Sequence, residues 1–287
     1  MDVISSILMP FTAIILVSFG TSFDDSREKT IDALEKAVIE RYADRSAQNP
    51  AIVETAFTSA TIRRKLDERG IHRNSVEQAL ESALARGARR AVIQPTHLMF
   101  GKEYNELREI AAGYEARFEG ISYGEPLLAT SDDISVLLRT VSSEVPAGKK
   151  EAVVLMGHGS EHFSNFLYAA TDYQAKAEGY GNIFVGTVEA YPGIEEVLAA
   201  VKKAKFRSVV LAPMMLVAGD HANNDMAGDG DDSWKSIFEA NGIKARAHIR
   251  GLGEYRPIQQ QYIRHIDAAL ERLAQSGGRA QGSHGSL

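Results

Sequence analysis

Not one of the 287 residues is cysteine. Disulfides and thiolate metal sites are therefore excluded, and any metal must be held by imidazole or carboxylate. Basic tracts are missing as well. The 32 Lys and Arg are interspersed with 38 Asp and Glu, giving a net charge of −6, so nucleic acid is not an expected partner. Long apolar runs are absent too. The amino end, MDVISSILMPFTAIILVSFG, is broken at Pro10 and falls short of the roughly 20 unbroken apolar residues of a membrane helix. It carries no Lys or Arg before Arg27, unlike a secretory signal. Its last part, Ala13–Ser18, reads as a core strand, and the chain reads as cytoplasmic with no membrane partner. Phosphate loops of the Walker or dinucleotide kind are missing. The stretch GDGDDS at 228–233 lacks the spacing of a calcium loop, and Ser233 with Asp231 and Asp232 reads as a loop and N-cap ahead of Trp234.

What is present is a regular alternation. Short apolar runs at Ala13–Ser18, Ala51–Phe57, Ala91–Pro95 and Ile121–Leu127 read as strands. Between them lie amphipathic helical patterns, Ser26–Tyr42 with Ile31, Leu34, Val38 and Tyr42 on one stripe, Ser75–Arg86, and Gly101–Phe118. A linker follows at Ala129–Asp133, with Ser131 or Asp132 as the expected helix N-cap. The βαβα rhythm implies a parallel sheet covered on both faces, hence an α/β fold.

The second half repeats the first. FGTS parallels HGSE, pairing Gly20 with Gly159 and Thr21 with Ser160. VETAFTSATIRRKL parallels VGTVEAYPGIEEVL, pairing Thr55 with Thr187, and AVIQPTHLMFG parallels VVLAPMMLVAG, pairing Pro95 with Pro213. The expected organisation is two similar α/β halves, 1–130 and 131–273, facing each other across a cleft. A Gly/Ser-rich tail at 274–287, containing His284, is expected to be disordered.

The chemistry gathers at strand ends. EAVVLMGHGS delivers His158, GNIFVGTVEA delivers Glu189, and SVVLAPMMLVAGDH delivers His221. In open α/β sheets that rim is where ligands bind. Singly, each reads as a satisfied polar group, with Glu189 as a cap for a helix starting near Pro192. Together, two imidazoles and a carboxylate form a site for Zn, Co, Fe or Ni that leaves a position open for exchange. His158-Gly-Ser-Glu161-His162 also spells H-x-x-E-H, but that zinc motif needs a helix, and a strand end followed by Gly159 denies it. Pairing the halves residue by residue sets Phe19 against His158, Phe57 against Glu189 and Glu103 against His221. The first half thus has the scaffold without the ligands, and offers Phe19, Phe57 and His97 to a flat, apolar, partly charged substrate. Ser18, Thr21 and Ser22 around Gly20 suit either an anion-binding turn or a helix cap. Arg63, Arg64 and Lys102 lie beyond strand ends and suit either substrate carboxylates or solvent.

The stretches ILVSFGTSF, QPTHLMFGKEY, LMGHGSEHFSN, VEAYPG and GDHANNDMAGDGDDSWK together closely resemble the anaerobic sirohydrochlorin cobaltochelatases, members of the class II chelatases, over Ala13 to Leu273. The resemblance implies two α/β halves around a tetrapyrrole cleft and a metal held by His158, Glu189 and His221. It implies insertion of Co2+ into sirohydrochlorin with release of two protons, on the way to the corrin ring of cobalamin. The metal enters as substrate, Fe2+ or Ni2+ fit the same ligands, and no organic cofactor is expected. His158, assisted by His221, is then the expected proton acceptor. Phe19, Phe57, Leu98 and Met99 are expected as apolar walls, with Gly20, Thr21, Ser22, His97, Glu103 and Ser160 completing the substrate-binding set. His97 is also a candidate ligand to a haem. A homo-oligomer is compatible with this reading. The alternatives are an iron chelatase for sirohaem, a non-catalytic metal or tetrapyrrole carrier, and a zinc hydrolase.

Overall fold

The computed structural model describes residues 12–43 and 51–281, the side chains of 276–281 excepted. Two compact units emerge. Among the described residues, one takes those up to Leu127 together with 259–281, and the other runs from Leu128 to Ile258, with 28–30 assigned to it as well.

The first unit is built on a four-stranded parallel sheet of β1 (Thr12–Ser18), β2 (Ile52–Phe57), β3 (Arg90–Pro95) and β4 (Gly120–Tyr123), in the order β2-β1-β3-β4. β1 is central and buried at all seven positions, which is why TAIILVS is apolar without alternation. The second unit repeats this order as β6-β5-β7-β8, from β5 (Ala152–Gly157), β6 (Ile183–Thr187), β7 (Ser208–Pro213) and β8 (Lys244–Ala247). The α/β class and the internal duplication read from the sequence are therefore present. Each sheet has its own core. Ile15, Val17 and Ile93 pack with Leu80 and Leu107 in one, and Val154, Met156 and Leu211 with Val197 and Trp234 in the other. Each such side chain contributes about 1.5–3 kcal/mol by leaving water.

Helices form where the apolar stripe predicts them. Leu34, Val38 and Tyr42 are buried from Ala33–Tyr42, and Val76, Ala79, Leu80 and Ala83 from Val76–Ala85, whose start is fixed by a Ser75–Gln78 capping box. Four details differ from the sequence reading. A helix at Ala60–Asp67 escapes the pattern because it buries just one side chain, Leu66. The helix expected to reach Phe118 spans Lys102–Ala112 and stops at Gly113. β4 ends at Tyr123 because Gly124 and Pro126 follow it. The linker helix, Ser131–Glu144, is capped by Thr130 and not by Ser131 or Asp132. The Thr130 hydroxyl accepts from the Asp133 N–H while the Asp133 carboxylate accepts from Thr130.

The last helix, Arg256–Gln281, packs mainly on the first unit. Its Tyr262 hydroxyl donates to the Thr96 carbonyl (2.7 Å), and the buried Tyr42 donates to Asp267 (2.6 Å). The tail expected to be disordered from 274 is helical to Gln281, since adding residues to an established helix gains a hydrogen bond each. Residues 282–287, with His284, lie outside the described residues, as does the amino end before Thr12. Among the described residues no helix is long and apolar enough to cross a membrane.

Candidate metal centre

β6, β5 and β7 are neighbours and parallel, so their carboxyl ends share one rim. The chain winds to one side of β5 and then to the other, which opens a crevice at that rim. His158 follows β5 directly, Glu189 stands two residues past β6, and His221 heads a π-helical turn, Ala222–Met226, beyond β7. Backbone pairing continues past the strands. The Val188 N–H donates to the Gly157 carbonyl and the Glu189 N–H to the His158 carbonyl, both at 3.0 Å. One ligand atom from each of His158, Glu189 and His221 lies within 4.8 Å of the others, close enough to surround a single ion. The Glu189 capping alternative does not hold. The helix Ile194–Lys203 is capped at Gly193, whose N–H donates to Glu196.

Hydrogen bonds orient the two imidazoles. Nδ1 of His158 meets the Gly159 carbonyl at 3.0 Å, and Nδ1 of His221 meets the Asp225 carboxylate at 2.7 Å. An acceptor at Nδ1 makes that nitrogen the N–H and leaves the Nε2 lone pair for a metal. Glu189 stands 3.5 Å from Nδ1 of His158, too far for a strong hydrogen bond, so its carboxylate remains available. The His158 and Glu189 side chains are 48% and 55% exposed and that of His221 is 31% exposed. Such a site can exchange its ion with a partner that approaches it. Gly159 makes the junction possible. Its φ is +92°, and a Cβ there would lie 2.9 Å from the Ala190 nitrogen.

The first unit carries the same turn without the ligands. Gly20 has φ +99°, and a Cβ on it would lie 2.5 Å from the Phe57 ring. The Ser59 N–H donates to the Phe19 carbonyl at 3.2 Å, as Glu189 does to His158. The structural counterpart of Glu189 is therefore Ser59, a correction to the pairing with Phe57. Phe57 itself is wholly buried beneath Gly20, so it supports the turn and is not the exposed apolar wall expected of it. Phe19 is 53% exposed at the end of β1. Thr21 is buried and accepts from the Phe23 N–H, while the Ser22 carbonyl accepts from Arg69. Leu98 and Met99 are half-buried, and Glu103 is exposed in the first turn of its helix. Arg63 is committed to the Phe57 and Thr58 carbonyls. In the second unit, Ser160 braces its own loop, donating through its N–H to Asn165 and accepting from the His162 N–H.

His97 stands apart. Both ring nitrogens are buried and have no hydrogen-bond partner among the described residues. Burial pushes its pKa down to about 4, with the Glu103 carboxylate pulling weakly the other way. Sequence reasoning missed one group at the metal centre, Asp225. Its spacing of four from His221 was the available signal, obscured by the Asn223, Asn224 and Asp225 run that reads as a polar loop.

Comparison with known proteins places the chain in a family. A family model described as cobalt chelatase (CbiK) matches residues 12–271. The chain is 37% identical over 260 residues to the sirohydrochlorin cobaltochelatase of Salmonella typhimurium, covering 90% of this chain and 96% of that protein. It is 31% identical over 275 residues to the sirohydrochlorin cobaltochelatase CbiKC of Nitratidesulfovibrio vulgaris, covering 92% and 93%. Among solved structures, SirB from Bacillus subtilis with Fe3+ shares the fold, with a TM-score of 0.66 at 15% identity over 94% of this chain and 98% of that one.

Proposed function

The chain belongs to the cobalt chelatase (CbiK) family, and from that membership we propose that it inserts Co2+ into sirohydrochlorin with release of two pyrrole protons. The observation that carries the proposal is the convergence of His158, Glu189 and His221 on one point at an exposed sheet rim.

The reaction asks for ligands that bind a divalent ion and then release it. Two neutral imidazoles and a carboxylate do so more readily than thiolates, and three protein ligands leave positions for the incoming pyrrole nitrogens. As the ion passes to the macrocycle, each imidazole regains the Nε2 lone pair that held it. That lone pair then accepts a proton from a pyrrole N–H. Two protons leave per ion, and two imidazoles stand at the site to take them. We assign the first transfer to His158, the more exposed of the two. At the equivalent rim of the first unit, Phe19, Gly20, Thr21, Ser22, His97, Leu98, Met99 and Glu103 are proposed to contribute to substrate binding, as is Ser160 in the second.

The test is an anaerobic absorbance assay of sirohydrochlorin with Co2+, Fe2+ or Ni2+. Multiple turnovers by the wild type, lost in His158→Ala, are expected, and the ratio of rates among metals ranks cobalt against iron. A spontaneous rate in both proteins would overturn the enzyme reading in favour of a carrier.

A further inference from the structure

His158 and His221 are oriented by unlike groups. The Nδ1 of His158 leans on a neutral backbone carbonyl, at 3.0 Å from Gly159. The Nδ1 of His221 meets a carboxylate, at 2.7 Å from Asp225, the length of a charge-assisted hydrogen bond. Asp225 does not reach the site by accident of a floppy loop. It lies in the π-helical turn Ala222–Met226, both ends of which, Ala222 and Met226, are fully buried in the second core. The turn is closed by Asn223 N–H to the Gly219 carbonyl and by Gly228 N–H to the Asn224 carbonyl. Such turns recur where a helix has been distorted for function.

We propose that Asp225 is a positioning residue for metal transfer. It holds His221 in one tautomer and one ring orientation, so that His221 keeps its grip on the ion while His158 and Glu189 yield first. A carboxylate behind an imidazole raises its strength as a metal ligand, an effect a backbone carbonyl supplies more weakly. The ion would then leave the exposed side of the triad, from His158 and Glu189, while still anchored at His221. This inference rests on the metal-insertion reading, since it gives the order in which the same three ligands let go.

The test begins with Co2+ alone, without tetrapyrrole, so that it stands apart from the chelatase assay. Co2+ affinity is measured by following the visible absorption of bound Co2+ during titration. Asp225→Asn, which keeps the shape and removes the charge, is expected to weaken binding about 10- to 100-fold, and Asp225→Glu to recover part of the loss. The Asn effect should persist in a His158→Ala background and vanish in a His221→Ala background, because the carboxylate acts through His221. In the full reaction, Asp225→Asn should raise the KM for Co2+ more than it lowers kcat. Co2+ affinity equal to wild type in Asp225→Asn, or an equal effect in both His backgrounds, would overturn the proposal. If Asp225→Asn unfolds, Asp225→Glu in the two backgrounds decides the same question. Wild-type Co2+ binding with no turnover would sink the chelatase reading and leave the role of Asp225 to be judged on affinity.

Discussion

The imidazole rings of His158 and His221 meet edge to face, with centroids 4.6 Å apart and planes at 87°. They come from adjacent strands on either side of the crevice, β5 and β7, and nothing in the intervening sequence brings them together. The contact exists because parallel strands in this order place their carboxyl ends side by side. Glu189, paired through its backbone to His158, completes the group from β6.

Binding of Co2+ should stabilise the fold, since the three ligands converge only in the native state. At a free Co2+ concentration of about 100 Kd the gain is about 2.7 kcal/mol. Calorimetry with and without Co2+ should show the rise in melting temperature, its reversal by a chelator, and a smaller rise in both His158→Ala and Glu189→Gln. A full rise in His158→Ala would place the ion elsewhere.

Gly159→Ala should damage both stability and metal binding. The substitution forces an L side chain into φ +92° and drives its Cβ to within 2.9 Å of the Ala190 nitrogen, a strain of about 1–3 kcal/mol. The clash is with the segment holding Glu189, so the ligand pair should separate. Gly20→Ala meets the same kind of obstruction at Phe57, in the unit that carries none of the three ligands. It should lower the denaturation midpoint without weakening Co2+ binding. Equal Co2+ affinities in wild type and Gly159→Ala would contradict the geometry.

His97 should make the protein sensitive to mild acid. Its folded pKa, near 4, lies below the ordinary value of 6.5, so the unfolded chain binds the extra proton between those pH values. Stability contributed by keeping the ring neutral is thus intact above pH 6.5 and is lost as pH falls toward 4. The linkage amounts to about 2 kcal/mol between pH 7 and pH 5. Urea denaturation at the two pH values should show this loss in wild type and a smaller one in His97→Gln.

Tyr42→Phe should loosen the last helix. The Tyr42 ring is buried, and its hydroxyl reaches both the Asp267 carboxylate (2.6 Å) and the Ile263 carbonyl (3.1 Å). Deleting it removes a hydrogen bond to a charged carboxylate, at a cost of about 1.5–3 kcal/mol. Hydrogen exchange should show faster opening of the segment around Ile263–Asp267, with the β5–β7 strands unaffected.

The sequence alone determined the alternation of strands and helices, the duplication, and the three strand ends that carry His158, Glu189 and His221. These are legible because burial on both faces writes an unbroken apolar run into β1 and β5, and because residues ending parallel neighbours must share a rim. The tertiary structure decided what depends on register and on distant partners. It moved the counterpart of Glu189 from Phe57 to Ser59, because backbone pairing at the strand end, not similarity along the chain, sets which residues correspond. It buried Phe57, whose role follows from the absence of a Cβ on Gly20. It seated the last helix against Tyr42 and Thr96, since an apolar stripe says that a helix must pack and not on what. It also brought Asp225 to His221, because a polar run in a loop becomes an oriented hydrogen bond only when a turn fixes its direction.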